Sequence, residues 1–428
     1  MRAHTRSFLL SCALAFAPLA QAQDFFWDFE GANGLDGWHM YDGSPMQTGP
    51  GAASATSVRL QSGPPLNSGS FDSAMFFYHV VPYDPNVFYN ITVGCMTLDP
   101  DVYPMVYLGW LDTLAQPAFL NAANTSMTVS MGPSSWAIAE LLDEYPITGA
   151  GAYCIIISAS SLIPGEALFD NISVEMIPQG SAMLRAPRLF LGGNFDSGIN
   201  RMGHQLNDLG LVPATEPYTA MGYQQIGGGG EMCTPFVMEP SFNFNAVDWV
   251  RLELRSALDP TVVVATRQLM LTSLGLTCGP NGQLNLHFDL PAGNYYVAVR
   301  HRNHLGAMTA TPVALPSPFP WWAVDFRSPS LATWGSNARK AVGANMVLWE
   351  GDVTGDHLLK YVGMNNDRDP ILVAIGALPI ATLTGQYRKE DVTMDGVVKY
   401  VGVNNDRDPI LVNIGGNTPN AVRVEQVP

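Results

Sequence analysis

The stretch FYNITVGCMTL at residues 88–98 combines valine, isoleucine, tyrosine and threonine in one short run. Comparable runs lie before and after it, SAMFFYHVV at 73–81 and YCIIISAS at 153–160, and turn residues such as Pro82 and Gly149 separate them. Side chains of these types favour strands, and short strands at this spacing are typical of a β-sandwich. The sequence therefore predicts a protein that is mostly β.

The N-terminus predicts secretion. Arg2 and Arg6 precede the apolar run FLLSCALAFAPLA, and a small-residue pattern follows at 20–22. This is the pattern of a secretory signal peptide over residues 1–22, with cleavage before Gln23. No other apolar run approaches the length that crosses a bilayer, so we predict no transmembrane segment and a secreted or cell-surface location.

The chain of 428 residues is longer than one typical domain. Changes in pattern predict three regions after the signal peptide, at 23–178, 179–349 and 350–428. In the second region, VDWVRLELR at 247–255 and GNYYVAVRHRN at 293–303 alternate apolar and polar side chains, which predicts a second β-sandwich of immunoglobulin-like type. The third region differs from both, because its motifs predict loops and helices.

The charge distribution limits the partners. Between residues 23 and 178 the single basic residue is Arg59, against sixteen aspartate and glutamate residues, and the whole chain carries a net charge of −16. Nucleic acid binding depends on clustered lysine and arginine, so we predict no nucleic acid partner. Neutral ligands and divalent cations suit this charge better.

Cysteines predict disulfides. Of five cysteines, Cys12 lies in the predicted signal peptide, and four remain: Cys95, Cys154, Cys233 and Cys278. An oxidising compartment favours bridges, and four cysteines can pair in three ways. Sequence position favours Cys95 with Cys154 and Cys233 with Cys278, because each pair then stays inside one predicted region.

The ends of the first region carry a family resemblance. The opening FEGANGLDGW at 29–38 and the closing FDNISV at 169–174 resemble the first and last strands of jelly-roll carbohydrate-binding modules. The resemblance implies an N-terminal jelly-roll β-sandwich with a structural calcium ion where those strands meet, and Glu30 and Asp170 as candidate ligands. Carboxylate oxygens are suitable calcium ligands. The alternative is that Asp170 only closes a turn.

The same resemblance implies a binding surface for sugars. Sugar-binding sandwiches place aromatic rings against pyranose rings, with polar groups that fix the orientation. Trp27, Trp110 and Trp136 are the candidate ligand-binding residues. The alternative for each is a place in the core.

The third region contains a repeat. DVTGDHLLKYVGMNNDRDPILVAIG at 352–376 returns as DVTMDGVVKYVGVNNDRDPILVNIG at 391–415. Side-chain oxygens recur at loop positions 1, 3 and 5, and a backbone carbonyl at position 7 can add a fourth oxygen. The candidate calcium ligands of the two loops are Asp352, Thr354, Asp356 and Leu358 in copy one, and Asp391, Thr393, Asp395 and Val397 in copy two.

These loops resemble the calcium-binding half-repeats of dockerins, each of which is a loop followed by a helix. The resemblance implies a further aspartate near the helix start, which is Asp367 or Asp369 in copy one and Asp406 or Asp408 in copy two. Copy one departs from the pattern at position 6, where a histidine replaces the glycine that suits a left-handed turn. We therefore predict that copy two is the better site. The alternative is a repeat held by apolar residues, with solvated acids.

Together these features predict a secreted or cell-surface, non-catalytic binding protein that adheres to a glycan and uses calcium to stabilise its C-terminal tandem. The expected partners are a polysaccharide or glycoconjugate, and a cell-surface or scaffold protein through the repeats. No catalytic residues are predicted, since no nucleophile elbow and no defensible triad occurs. Two alternatives stay open: a polysaccharide-degrading hydrolase or lyase, and a purely structural surface or matrix protein.

Overall fold

The computed structural model describes residues 25–30, 34–41, 45–51, 56–61, 76–112, 119–128, 136–143, 148–160, 165–239, 245–315 and 324–428. The predicted signal peptide lies outside the described residues. Within them strands greatly outnumber helices, which confirms the prediction of a mostly β protein. No helix of the described part is long and apolar enough to span a bilayer.

The first region is a sandwich of two antiparallel sheets. Its strands are β1 (Phe25–Trp27), β2 (Trp38–Met40), β3 (Gln47–Gly49), β4 (Ser57–Gln61), β5 (Phe76–Val80), β6 (Val87–Thr97), β7 (Tyr103–Asp112), β8 (Phe119–Thr128), β9 (Ala137–Asp143), β10 (Ala152–Ser160) and β11 (Glu166–Pro178). Sheet A has the order β3-β4-β11-β6-β9, with β1 added to β11, and sheet B has the order β2-β5-β10-β7-β8. The predicted β-sandwich is confirmed.

Alternation along the strands decides which side chains face the sandwich core. In β5, Phe77 joins the core between the sheets, whereas Phe76 belongs to a separate cluster on the outer face of sheet B. In β10, Ile155 faces the core and Ile156 the outer face. Successive side chains of a strand point to opposite faces, so alternation assigns each side chain to the inner or the outer face of its sheet.

The predicted disulfides are wrong, because Cys95, Cys154, Cys233 and Cys278 are all free, buried thiols. Cys95 lies in the core between the sheets, and Cys154 lies on the outer face of sheet B. The sheet therefore separates them. Cys233 and Cys278 share the core of the second region and remain unbridged. Burial raises the pKa of Cys95 and Cys278 to about 12, which keeps both thiols protonated.

The second region has one large antiparallel sheet. Its elements are β12 (Ser181–Arg185), β13 (Phe195–Asp196), β14 (Arg201–Met202), α1 (Gln205–Asp208), α2 (Pro235–Met238), β15 (Ala246–Ser256), β16 (Val263–Thr272), β17 (Thr277–Cys278), β18 (Asn285–Pro291), β19 (Gly293–His301), β20 (His304–Met308), β21 (Val313–Leu315), β22 (Lys340–Val342) and β23 (Asn345–Val347). The sheet order is β17-β16-β15-β19-β20, with β21 on β19. The β12–β18 pair packs on it through a shared apolar core.

The two β regions pack directly on each other. Trp136 is 5% exposed and meets the ring of Phe236 edge-on, with 5.9 Å between centroids. Glu140 of β9 accepts hydrogen bonds from the N–H groups of Leu284 and Asn285, both at 2.9 Å. The outer face of sheet A is therefore an internal surface, whereas the outer face of sheet B carries the separate cluster around Phe76 and Ile156.

The third region is one module built from both repeats. Each copy gives a loop, a short strand and a helix: β24 (Leu358–Lys360), α3 (Arg368–Ala374), β25 (Thr382–Thr384), β26 (Val397–Lys399), α4 (Arg407–Asn413) and β27 (Val422–Val424). β25 pairs with β26, and β24 of copy one pairs with β27, which follows copy two. Its small core contains Val353, Ile371, Val392 and Ile410 from both copies. The predicted helices at NNDRDPIL are confirmed.

A buried charge network attaches this module to the second region. The Asp248 carboxylate on β15 accepts hydrogen bonds from Arg302 Nε at 3.0 Å and from the Tyr387 hydroxyl at 2.5 Å. Asn303 Nδ2 donates to the carbonyls of Lys389 and Asp391, at 3.0 and 2.9 Å. Burial alone would raise the pKa of Asp248, but the positive charge of Arg302 overrides it and holds the pKa at about 2.

We expect Arg302→Ala to destabilise the protein by about 3–5 kcal/mol, because it leaves the Asp248 carboxylate buried and uncompensated. Arg201→Ala, which removes an exposed arginine of the same region, should cost less than about 0.5 kcal/mol. Denaturant unfolding of both variants measures the difference. Equal stability of the two variants would show that the network adds nothing.

Candidate functional site

The outer face of sheet B carries a row of aromatic side chains. Tyr78 on β5 is opposite His39 on β2 and Ile156 on β10, and Ile156 is in turn opposite Tyr107 on β7. Neighbouring strands lie about 5 Å apart, so Tyr78 and Tyr107 are separated by about 10 Å. The register therefore produces a line of side chains that runs across the strands.

A second row lies beside the first. Tyr41 packs near Phe76 with 5.0 Å between ring centroids, and Phe76 lies 6.3 Å from Tyr78. Phe76 is fully buried, while Tyr41, Tyr78 and Met105 are half-buried and His39 is exposed. Tyr107 is buried, at 9% exposed, so the accessible part of this face consists of the rings of His39, Tyr41 and Tyr78 with their imidazole and hydroxyl groups. We call the set His39, Tyr41, Tyr78 and Tyr107 the aromatic face.

The phenol groups of this face stay neutral. Burial raises the pKa of Tyr78, with a smaller effect from Cys154 beside it. Burial also raises the pKa of Tyr107, although a hydrogen bond with Ser158 opposes the shift. Neutral phenols can both donate and accept hydrogen bonds, and their rings offer apolar surface. This chemistry suits a ligand that has hydroxyl groups and flat apolar faces.

The predicted tryptophans lie elsewhere. Trp136 is buried between the two regions, so its predicted contact with a ligand is wrong. Trp27 is half-buried and stacks on Phe25 with 5.7 Å between centroids. Trp110 packs at the end of the sandwich core, with 5.2 Å between its ring centroid and that of Tyr153. Ligand binding by Trp27 and Trp110 stays a prediction.

The tyrosines that sequence reasoning missed have a recognisable signal. In β5, Phe76 and Tyr78 flank the core residue Phe77, and in β7, Tyr107 precedes the core residue Leu108. Strict alternation therefore assigns these tyrosines to the outer face. What the alternation does not reveal is which outer face the second region covers, because that depends on how the second region packs.

The predicted calcium ligands of the first region lie near a bulge. The pairing of β6 with β11 is interrupted between Asp170 and Ser173. Asp170 is buried, and its carboxylate accepts the N–H of Asn171, which has φ of 49°. Glu30 accepts the N–H of Thr56 at 2.6 Å. These contacts match the turn-closing alternative for Asp170, and calcium binding by Glu30 and Asp170 stays a prediction.

In each repeat the first aspartate organises the loop. Asp352 accepts the N–H groups of Gly355 and His357, at 2.8 and 3.1 Å. Asp391 accepts those of Asp395 and Gly396, at 3.2 and 2.9 Å. Position 6 has a left-handed backbone in both copies, with φ of 66° at the histidine and 82° at the glycine. At position 4 the arrangement is reversed, with Gly355 at 75° in copy one and Met394 at 58° in copy two, so each loop has one left-handed residue with a bulky side chain at these two positions.

The structure separates the two candidates for the closing acid. Asp367 is fully buried and accepts hydrogen bonds from the Thr354 N–H at 3.0 Å and the Lys360 N–H at 2.8 Å. Asp406 repeats this pattern with Thr393 and Lys399. Asp369 and Asp408 instead point outward and form ion pairs with the preceding arginines. Asp367 and Asp406 are therefore the acids that face the loops.

The electrostatics of the loops favour a cation. Burial, together with the negative charge of Asp367, raises the pKa of Asp352 to about 7, and burial raises the pKa of Asp406 to about 7 as well. Carboxylate, hydroxyl and carbonyl oxygens are the donors that calcium prefers, so these residues fit that ion. Among the described residues no three His, Cys, Asp or Glu side chains converge as a metal site. Calcium therefore stays a prediction.

A histidine pair completes the attachment of the repeat module. His301 and His304 lie on the paired strands β19 and β20, with Nδ1 atoms 2.9 Å apart. His304 Nε2 accepts the N–H of Gly193 at 3.2 Å, so its proton is on Nδ1, which lies 2.8 Å from Asn303 Oδ1 and 2.9 Å from His301 Nδ1. His301 Nε2 then donates to Asp248 at 3.1 Å. Burial lowers the pKa of both histidines, and both are neutral.

The comparisons with known proteins come from structures alone. No family model and no curated protein matches the chain. A "Family 16 Carbohydrate Binding Module-2" aligns with 33% of this chain and 91% of its own, at 15% identity and a TM-score of 0.25. A family 11 carbohydrate-binding module from Clostridium thermocellum aligns with 36% and 96%, at 14% identity and 0.24. The tailspike protein 4 of bacteriophage CBA120 aligns with 35% and 20%, at 18% identity and 0.24. At these scores we base no argument on the likenesses.

The histidine pair predicts a pH effect. A buried histidine whose folded pKa lies below its usual 6.5 adds stability above that pH, and the stability is lost as the pH falls, because the unfolded chain then binds the proton more readily. We expect the stability advantage of the wild type over His304→Asn to shrink between about pH 7.5 and 5.5, by about 1.4 kcal/mol per pH unit below the usual pKa. Denaturant unfolding at each pH measures it. If the difference in unfolding free energy between wild type and His304→Asn stayed constant with pH, the burial of a neutral His304 would be contradicted.

Proposed function

We propose that this chain is a secreted, non-catalytic binding protein that holds a polysaccharide on the aromatic face of sheet B. The observation that carries the proposal is the register that places the accessible side chains of His39 and Tyr78 opposite each other on the outer face of sheet B, with the buried Tyr107 two strands away. Aromatic rings pack on the apolar faces of sugar rings, and phenol groups bond their hydroxyls. The accessible pair, His39 and Tyr78, spans one strand spacing of about 5 Å, which is enough to contact one sugar ring.

The charge of the region supports a neutral ligand. Sixteen acidic residues and a single basic one lie between residues 23 and 178, so a polyanionic glycan would be repelled. The aromatic face itself contains no carboxylate or ammonium group among its four side chains. We therefore expect neutral polysaccharides to bind better than sulfated or uronate-rich ones.

We further propose that calcium stabilises the repeat module. Each loop contains two buried carboxylates, Asp352 and Asp367 in copy one and Asp391 and Asp406 in copy two, and each carboxylate accepts hydrogen bonds from backbone N–H groups of its own loop. A divalent cation between the members of a pair would compensate charge that the protein itself leaves uncompensated. The ion would supply rigidity to the loops, and the chain's own residues would supply the oxygen shell.

An exposed apolar surface supports a role of the repeats in docking. Met364 and its counterpart Val403 are 87% and 84% exposed, and Val373 and its counterpart Val412 are 71% and 62% exposed. Large apolar side chains at equivalent places in both copies form a repeated surface next to the helices. We propose that a cell-surface or scaffold protein binds there, since exposed apolar patches mark interaction sites.

We expect Tyr78→Ala to weaken binding to a neutral polysaccharide by about tenfold, because the substitution removes one ring contact of the aromatic face. Tyr295→Ala removes a half-buried tyrosine of the second region and should leave binding unchanged. A glycan array followed by calorimetry on the best ligand measures both. Binding that is insensitive to Tyr78 would overturn the assignment, and release of reducing ends would favour the enzyme alternative.

We expect calcium to raise the thermal midpoint of the full chain, with a gain of about 2.7 kcal/mol at a calcium concentration a hundred times the dissociation constant. Asp391→Ala should remove more of this gain than Asp352→Ala, because copy two has the glycine at position 6 and is the predicted better site. Asp408→Ala removes an outward-facing acid of the same module and is the matched control. A midpoint that chelator and calcium leave unchanged would rule out the site.

A further inference from the structure

A polar cleft of about 550 Å³ lies where sheet A meets the second region. Glu175 of β11 lines it on one side, and His287 and Asp289 of β18 line it on the other, with Glu231 and Arg267 nearby. This volume is in the range of small-molecule sites. The cleft is distinct from the aromatic face, which lies on the opposite sheet of the sandwich.

His287 is one of two buried polar side chains in this cleft, the other being Gln268. Its side chain is 7% exposed, with Nδ1 3.4 Å from Glu175 Oε1 and Nε2 3.8 Å from Asp289 Oδ1. Nε2 is too far from Asp289 for a hydrogen bond and has no other partner among the residues that the structure describes. Buried polar atoms are almost always hydrogen-bonded. An imidazole nitrogen without a partner in a cleft wall therefore points to a group that a ligand supplies.

The charged side chains that line the cleft favour a positively charged ligand. Three carboxylates, of Glu175, Glu231 and Asp289, are set against the single guanidinium of Arg267. That guanidinium donates to the carbonyls of Thr266 and His287, at 3.0 and 3.2 Å, so part of its hydrogen-bonding capacity is used within the protein. An anion would be repelled here, whereas a cation that donates hydrogen bonds would be attracted.

The remaining wall combines the amides of Gln268, Gln283 and Asn285 with an apolar part. Leu269 and Leu286 line the cleft, and both belong to the core of the second region. A ligand that fits must combine a positively charged donor with a carbon skeleton that can contact these leucines. A bare metal ion does not meet this description.

We propose that the cleft binds a small organic cation, a primary amine on a hydroxylated carbon skeleton such as an amino sugar. The ammonium group would lie between the carboxylates of Glu175 and Asp289, and a hydroxyl group would bond to His287 Nε2. This site goes beyond the proposed polysaccharide binding, since neither its residues nor its ligand class depends on the aromatic face.

Calorimetry on the full chain with three probes of one ring type tests the proposal. Glucosamine should bind at one site, glucose should bind at least about tenfold more weakly because it lacks the charge, and glucuronate should not bind. Raising the salt concentration should weaken glucosamine binding, since the carboxylates are partly exposed. Equal binding of all three sugars, or no binding of glucosamine, would overturn the proposal.

Variants locate the site. The double variant E175Q/D289N should lower glucosamine affinity by at least about tenfold. Both side chains reach solvent, so the variant should fold, and its melting temperature checks this. Asp101→Asn removes an exposed acid from the turn after β6 and should leave affinity unchanged. Tyr78→Ala should also leave it unchanged, which separates this site from the aromatic face. Wild-type affinity in a folded double variant would contradict the assignment.

Discussion

Buried charges in the large sheet of the second region are the constraint on which the packing of the C-terminal module depends. Glu253 on β15 bonds Arg251 at 2.9 Å and Arg255 at 2.7 Å, and Arg300 on β19 pairs with Glu425 from the end of the chain. Isolated charges in such a place would cost several kcal/mol each. The C-terminal module therefore supplies partners that the sheet cannot do without. It follows that the module is part of the second region rather than an appendage on a linker.

The local elements could be predicted from the sequence, because they depend on nearest-neighbour patterns. Alternation at 247–255 and 293–303 predicted β15 and β19, and Pro370 with Gly376 marked a helix that the structure places at Arg368–Ala374. Equivalent reasoning assigned position 6 of the repeats to a left-handed turn. None of these conclusions requires knowledge of distant parts of the chain.

The surroundings of those elements could not be predicted in the same way. Alternation at Arg251 and Glu253 suggests a solvent face, yet both side chains are buried, since Gln225 and the C-terminal module cover them. In the sequence Trp136 is a candidate ligand contact, but in the structure the second region packs over it. The cysteine pairing failed for the related reason that sequence position does not say which face of a sheet a side chain occupies. Each error concerns contacts between residues far apart in the chain.

The pairing of β24 with β27 limits how many copies of the repeat the module can contain. Leu359 of copy one lies opposite Arg423, beyond the end of copy two, so the segment after the second repeat closes the first. Each copy therefore pairs a strand with a segment that follows the other copy: β24 with β27, and β26 with β25. A third tandem copy inserted after residue 415 would have to displace β27 or replace its role. The module is thus a closed pair, and its size is limited by topology rather than by the number of copies the gene could accumulate.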